Sequence, residues 1–291
     1  MSQPLRVGLK VSQQGQPIEV LREGWRMAED AGFDHLWPFD HLVALHAAPT
    51  TPTFDGWTLL GAISVSTRRI RMGLNVSGNL YRHPALLAKI AATVDHLSGG
   101  RLEVGLGASW NEAEFAMFGL PFPGTRDRLD MLEESCRVVK LLWTNERATL
   151  AGRHYRVTDA VSEPKPLQRP HPPLWVGGKG PRRTLRIAAE HADVWHSDVW
   201  HADIAAAQGS WDLAKVLDEH CRAVGRDPRS IRRGHSLLTD DPDEALRHVE
   251  ASVKRGFSEF LLFPSGQTRS SDHRRGIEAA ANLLPKMRAL A

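Results

Sequence analysis

Asp40 and His41 stand side by side in the stretch "WPFDHL" (37–42). An imidazole can donate, accept or carry a proton near neutrality, and an adjacent carboxylate can orient a ring or accept from a ligand N–H. The same pair reads equally as an aspartate capping a turn beside a loop-edge histidine. Of the 14 histidines, His41 is singled out because it adjoins a carboxylate at the end of an expected strand; most of the others belong at the surface.

A second stretch, "LWVGGKGPRRT" (174–184), sets three glycines around a lysine between an apolar run and an arginine-rich, helix-like segment. A glycine-rich turn that feeds a helix exposes backbone N–H groups, and the helix dipole favours an anion there. Gly177, Gly178 and Gly180 supply the bare backbone. Lys179, Arg182 and Arg183 add positive charge, and the Thr184 hydroxyl can donate. A phosphate is the natural guest; the plainer alternative is a tight strand-to-helix turn with solvated arginines. The stretch matches neither a Walker loop nor a G-x-G-x-x-G turn.

Two polar segments, Asn75-Val76-Ser77-Gly78-Asn79 and Ser109–Asn111, contain amides able to read a heterocycle edge, since Asn offers both donor and acceptor. Asn and Gly also simply make turns. Trp37, Trp57, Trp110, Trp195 and Trp200 fall near expected strand ends, as a platform for a flat ligand or as ordinary core and rim packing.

Positioning these residues requires a scaffold, and the chain alternates short β-like runs with helical patterns. Strands are expected at 5–11, 35–38, 69–76, 102–106, 174–176, 193–196, 231–238 and 259–263. Helices are expected at 19–31 (stopped by Gly32), 54–66, 84–97, 129–143, 182–191, 211–224, 242–254 and 276–290. About eight strand–helix pairs close a parallel (β/α)8 barrel, with an open doubly wound sheet as the competing architecture. The proline-rich stretch 144–173 interrupts the alternation as an excursion, with a small hairpin around its glycine. Barrel ligands sit in the loops after the strands. That places "PFDHL", "NVSGNLYRHP", "GLGASWNE", "GGKGPRRT", "HSDVWH" and "PSGQTR" around one mouth.

The chain has 291 residues, 42% apolar and 24% charged, with a net charge of +3. That is enough apolar material for one large barrel domain, expected to span 1–291. The charges are interspersed, which argues against nucleic acid and favours small anionic ligands. Cys136 and Cys221 lack metal or disulfide spacing, so a reducing cytoplasm is expected and no metal site. Neither a signal core nor a membrane-length apolar run is present.

In order, "WPFDHL", "YRHPALLAKIAATVDHLSGGRLEVGLGASWNEAEF", "RLDMLEES", "AGRHYRV", "PPLWVGGKGPRRTLRIAAEHADVWH" and "CRAVGRDPRSI" resemble the luciferase-like monooxygenase superfamily. These are the bacterial-luciferase-type flavin and deazaflavin enzymes, and the resemblance runs from Leu5 to the C-terminal helix. Within the superfamily the motifs look most like the subgroup using the 8-hydroxy-5-deazaflavin coenzyme F-420. The resemblance implies a (β/α)8 barrel with the tricyclic ring in its mouth and Asp40 and His41 beside it, His41 donating or accepting a proton. It implies a non-prolyl cis peptide at Asn75–Val76 against the ring, with Ser77, Ala108 and Asn111 near the ring or ribityl chain. It makes Gly177 to Arg182 the phosphate grip, with the N–H groups of Gly178 and Gly180 expected to meet the phosphate. Lys179, Arg182 and Arg183 are expected to line an open basic exit for the coenzyme's anionic tail.

One departure stands out. Deazaflavin enzymes that oxidise sugar phosphates carry a glutamate in the loop after the fourth strand, where this chain has "GASWNE". The expected activity is hydride transfer between the deazaflavin C5 and a small organic substrate. The rivals are an FMN-dependent monooxygenase using reduced flavin and oxygen, a non-catalytic deazaflavin- or flavin-binding protein, and a phosphate-binding barrel isomerase. The expected partners are the coenzyme and a small-molecule substrate, with neither nucleic acid nor membrane; a homodimer is compatible with the resemblance.

Overall fold

A computed structural model describes residues 3–45, 47–197, 204–238, 241–264 and 270–290. The strands are β1 (Arg6–Lys10), β2 (His35–Trp37), β3 (Arg71–Met72), β4 (Ser77–Gly78), β5 (Val104–Gly107), β6 (Ala148–Ala151), β7 (Arg156–Ala160), β8 (Leu174–Gly177), β9 (Val194–Ser197), β10 (Arg232–Leu238) and β11 (Glu259–Phe263). The helices are α1 (Ile18–Ala31), α2 (Gly56–Ser66), α3 (Pro84–Ser98), α4 (Glu112–Met117), α5 (Thr125–Thr144), α6 (Thr184–His191), α7 (Ile204–Ala223), α8 (Pro242–Val253) and α9 (Ser270–Arg288).

Nine strands form one parallel sheet in the order β3-β2-β1-β11-β10-β9-β8-β5-β4. Its two ends, β3 and β4, belong to the same extended segment, 71–78. On one side Arg71 and Met72 pair with His35 and Leu36; on the other Ser77 and Gly78 pair with Leu106 and Gly107. A bridge between Met72 and Leu102 ties the first half of the segment to the same neighbour. Counted once, that segment is the stave that closes an eight-stranded barrel, the expected (β/α)8 architecture rather than an open sheet. The excursion is also present, as an antiparallel β6–β7 hairpin outside the ring.

The local reasons are visible in the sequence. Strands covered on both faces need apolar runs, and β5, β8 and β9 are buried at nearly every position. Helix α1 turns Leu21, Gly24, Trp25 and Ala28 inward and stops at Gly32, whose φ of 87° lies in the left-handed region that glycine tolerates.

The N-terminal end of the barrel is plugged by charge rather than by apolar side chains. Glu103 and Glu259 are both fully buried. Arg6 reaches them at 2.9 and 2.7 Å, Arg71 pairs with Glu103 at 2.5 Å, and Arg232 pairs with Glu259 at 2.6 Å. Trp37 Nε1 donates to His35 Nδ1 (3.0 Å), which leaves His35 Nε2 facing Glu259 Oε2 at 3.0 Å as the donor. Burial pushes the Glu103 carboxyl up, but the guanidinium groups of Arg6 and Arg71 help to outweigh it and hold it at about 2 against an ordinary 4.5.

A depressed folded-state value means that this stabilisation is complete above the unfolded value and is lost as pH falls through the folded one. Stability should therefore drop between about pH 4.5 and 2, by roughly 3 kcal/mol from this group. Urea unfolding across that range, on the protein and on Glu103→Gln, checks it. The variant should be less stable at neutral pH and lose less on acidification; parallel pH curves would refute the assignment.

Candidate active site

The mouth is built from the loops at the C-terminal ends of β2, β4, β5 and β8. Just after β2, Asp40 is buried and receives hydrogen bonds from the Ser77 hydroxyl and from Arg82 Nη1, at 3.0 and 2.8 Å to its two oxygens. Arg82 Nη2 extends to Asp55 at 2.8 Å, and Trp57 Nε1 donates to Ser77 Oγ at 2.8 Å. Burial pushes the Asp40 carboxyl up, and Arg82 and Ser77 offset only part of that. Asp40 thus belongs to a closed network, and its side chain is oriented before any ligand arrives.

His41 is held from a different direction. Its Nδ1 lies 2.8 Å from Glu114 Oε2, which also accepts from the Tyr81 hydroxyl at 2.6 Å. The other oxygen of Glu114 accepts from the backbone N–H groups of Leu42 and Val43. Burial pushes the Glu114 carboxyl up, yet the donors from His41, Tyr81 and Leu42 prevail and hold it below its ordinary value. The same contact, with burial leading, raises the Tyr81 phenol. Trp110 sets its ring edgewise to the imidazole, with centroids 5.7 Å apart.

The Asn75–Val76 peptide is cis, as the resemblance implied. Among the described residues, both polar atoms of the buried Asn75 amide lack a hydrogen-bond partner, and so does the buried Ser109 hydroxyl. Val76 packs against bare backbone on the two neighbouring staves: a Cβ on Gly107 would fall 2.6 Å from its Cγ2, and one on Gly177 3.0 Å from its Cγ1. The requirement for glycine at 177 therefore comes from Val76. Ala108 and Asn111 are half-buried at the same rim.

The glycine-rich turn divides its labour differently from the sequence expectation. Gly178 has φ 131°, donates its N–H to the His196 carbonyl at 3.0 Å and accepts from Trp195 Nε1 at 2.9 Å. It extends the β8–β9 pairing, so its N–H is already used and does not point to a phosphate. Among the described residues the N–H groups of Gly180 and Arg182 make no protein hydrogen bond. A Cβ on Gly180 would meet Thr184 Oγ1 at 2.7 Å. Lys179 and Arg182 are exposed, whereas Arg183 reaches back to α5, to Asp130 at 2.5 Å and Glu133 at 3.4 Å. Arg183 is thus a brace between helices rather than part of an open cationic rim.

Of the tryptophans, Trp37, Trp57 and Trp195 are buried structural residues, and Trp110 is exposed beside His41. Trp200 and the segments 198–203 and 265–269, expected at the mouth, lie outside the described residues. The sequence reading missed Glu114, Arg82 and Lys10. Lys10, fully buried at the end of β1, donates to Ser236 Oγ at 3.2 Å, and that hydroxyl lies 3.2 Å from His196 Nε2. Glu114 and Arg82 stand inside "GLGASWNEAEF" and "YRHP", but only the folded chain shows what they touch.

Residues 2–288 match the family described as luciferase-like monooxygenase. The chain belongs to this family. It is 33% identical over 252 residues to an F420-dependent glucose-6-phosphate dehydrogenase of Kineococcus radiotolerans, covering 85% of this chain and 72% of the relative. It is 30% identical over 208 residues to an FMNH(2)-dependent dimethylsulfone monooxygenase of Pseudomonas putida, covering 67% and 56%. Among solved structures, an F420-dependent secondary alcohol dehydrogenase superposes with a TM-score of 0.83 at 19% identity, over 98% of this chain and 99% of that one. This luciferase-like protein is an oxidoreductase. None of the helices among its described residues is long and apolar enough to cross a membrane.

Proposed function

We propose that the protein is a coenzyme F-420-dependent oxidoreductase acting between the deazaflavin C5 and a small organic substrate such as an activated alkene, imine, alcohol or ketone. The observation that carries this reading is the Asn75 amide. It is buried, unpartnered at both atoms among the described residues, and placed beside Val76 at the barrel mouth. One amide offers a donor and an acceptor together, which suits the edge of a planar heterocycle. Leaving it unsatisfied would cost about 1–3 kcal/mol for each atom.

In this reading Asp40, Asn75, Val76, Ser77, Ala108 and Asn111 line the ring. Gly177 and Gly178 shape the turn, and the N–H groups of Gly180 and Arg182 hold the phosphate with Lys179 beside them. The bound coenzyme supplies the hydride chemistry; the barrel orients it and excludes water. His41 handles the proton at the substrate. With Ala108-Ser109-Trp110 after β5, the sugar-phosphate specificity of the Kineococcus relative is not carried over.

The second reading is an FMN-dependent monooxygenase, favoured by the Pseudomonas relative. A third, tight coenzyme binding without turnover, describes a non-catalytic binder. Both coenzymes carry a phosphate on a ribityl chain, but F-420 continues into an anionic lactyl–oligoglutamate tail. Lys179 and Arg182 are exposed beside the turn, and in this reading they would meet that tail. Titration by absorbance should therefore give tighter binding of F-420 than of FMN, weakening as salt screens the tail. Arg182→Ala should cost F-420 several-fold and FMN less. Tighter binding of FMN would replace the deazaflavin reading with the monooxygenase one.

A further inference from the structure

The way Glu114 divides its two oxygens defines a role that the family resemblance does not supply. We infer that Glu114 is a positioning residue that fixes the tautomer of His41, holding Nδ1–H and leaving Nε2 as the working base. The inference rests on the proposed reading in which His41 handles the substrate's proton.

An ionised carboxylate is an acceptor only. Four donors converge on Glu114: Leu42 N–H and Val43 N–H at Oε1, Tyr81 O–H and His41 at Oε2. Those donors keep the carboxyl ionised at neutral pH. Facing an atom that can only accept, His41 Nδ1 must carry a proton. A neutral imidazole then has its lone pair at Nε2, which makes no hydrogen bond among the described residues. Trp110 against the ring limits its rotation. The arrangement separates two tasks: Oε1 braces the backbone at 42–43, and Oε2 addresses the imidazole. A carboxylate needed only as a brace would leave the tautomer undetermined.

Glu114→Gln tests this separation. The backbone N–H groups of Leu42 and Val43 require an oxygen, so the glutamine carbonyl stays at Oε1. Its NH2 then replaces Oε2, putting a donor where an acceptor stood. His41 Nδ1 must become the acceptor, and the proton moves to Nε2. Long-range proton–nitrogen NMR of nitrogen-15 histidine-labelled protein, without coenzyme, reads this directly; comparison with the His41→Ala spectrum assigns the signals. The wild type should show Nδ1–H, and Glu114→Gln should show Nε2–H. Tyr81→Phe, which removes only the phenol, should keep the wild-type tautomer.

In single turnover with F-420, Glu114→Gln should slow the transfer about 10²-fold with coenzyme affinity changed less than twofold. A wild-type Nε2–H tautomer, or Nδ1–H retained in Glu114→Gln, overturns the inference, and the first of these does so even if the variant does not fold. A tautomer exchange in a protein that shows no turnover with F-420 upholds the role of Glu114 and removes the functional reading instead.

Discussion

Replacing His41 with alanine should slow the F-420 transfer step about 10²–10⁴-fold, the usual range for losing a general acid–base group, with coenzyme affinity changed only a few-fold. The asymmetry follows from the geometry. Among the described residues His41 makes one hydrogen bond, from Nδ1 to Glu114, and it is not among the groups that the proposed reading assigns to coenzyme binding, the Asn75–Val76 segment and the glycine-rich turn. Under that reading, removing the imidazole leaves the binding groups in place and takes away the proton acceptor. Single-turnover absorbance of F-420, alongside equilibrium titration, separates the two quantities. An unchanged transfer rate would reduce His41 to packing against Trp110. A matching loss in affinity and rate would place it in coenzyme binding instead.

The second large effect is on stability. Arg82 joins buried Asp40 to half-exposed Asp55, and its own side chain is 15% exposed. Removing one partner of a buried pair strands the other charge, at a cost of about 3–5 kcal/mol. Arg82→Met keeps the volume and removes the cation, so Asp40 should take up a proton more readily, beyond the upward push burial already gives it. Urea unfolding should show the full loss in Arg82→Met and a partial recovery in Arg82→Met/Asp40→Asn, where no stranded charge remains. A loss below about 1 kcal/mol, typical of exposed pairs, would mean that water reaches Asp40.

The alternation of elements was legible because a parallel strand buried on both faces must be an apolar run and its covering helix must carry an apolar stripe. Where that signal weakens, the reading fell short. Helix α4 has six residues, too few to show a period, and it was missed together with Glu114 on its inner side. Helices α7 and α9 begin at Ile204 and Ser270, earlier than Trp211 and Gly276, because Ala-rich and polar first turns present little periodic contrast.

The site residues beside strand ends were legible by position, but their partners were not. Arg82 meets Asp40 across 42 residues and Glu114 meets His41 across 73. No local spacing encodes such contacts; they depend on which loops a closed barrel brings to one rim. Gly178 illustrates the opposite difficulty. Its sequence context suggests a free N–H, but the strand continues one residue farther than its apolar run and uses that group.

The contact between Val76 and Gly177 has a wider consequence. Val76 lies on the stave that closes the barrel, and Gly177 is the last residue of β8 before the turn at 178–183. Under the proposed reading, the ring floor and the phosphate anchor are thus neighbouring parts of one rigid wall, not two loops free to adjust. The barrel then works as a gauge for ligand length. A tricycle whose phosphate sits one ribityl away can fill both ends, while a shorter or longer spacer must forfeit one of them whatever the chemistry of its ring.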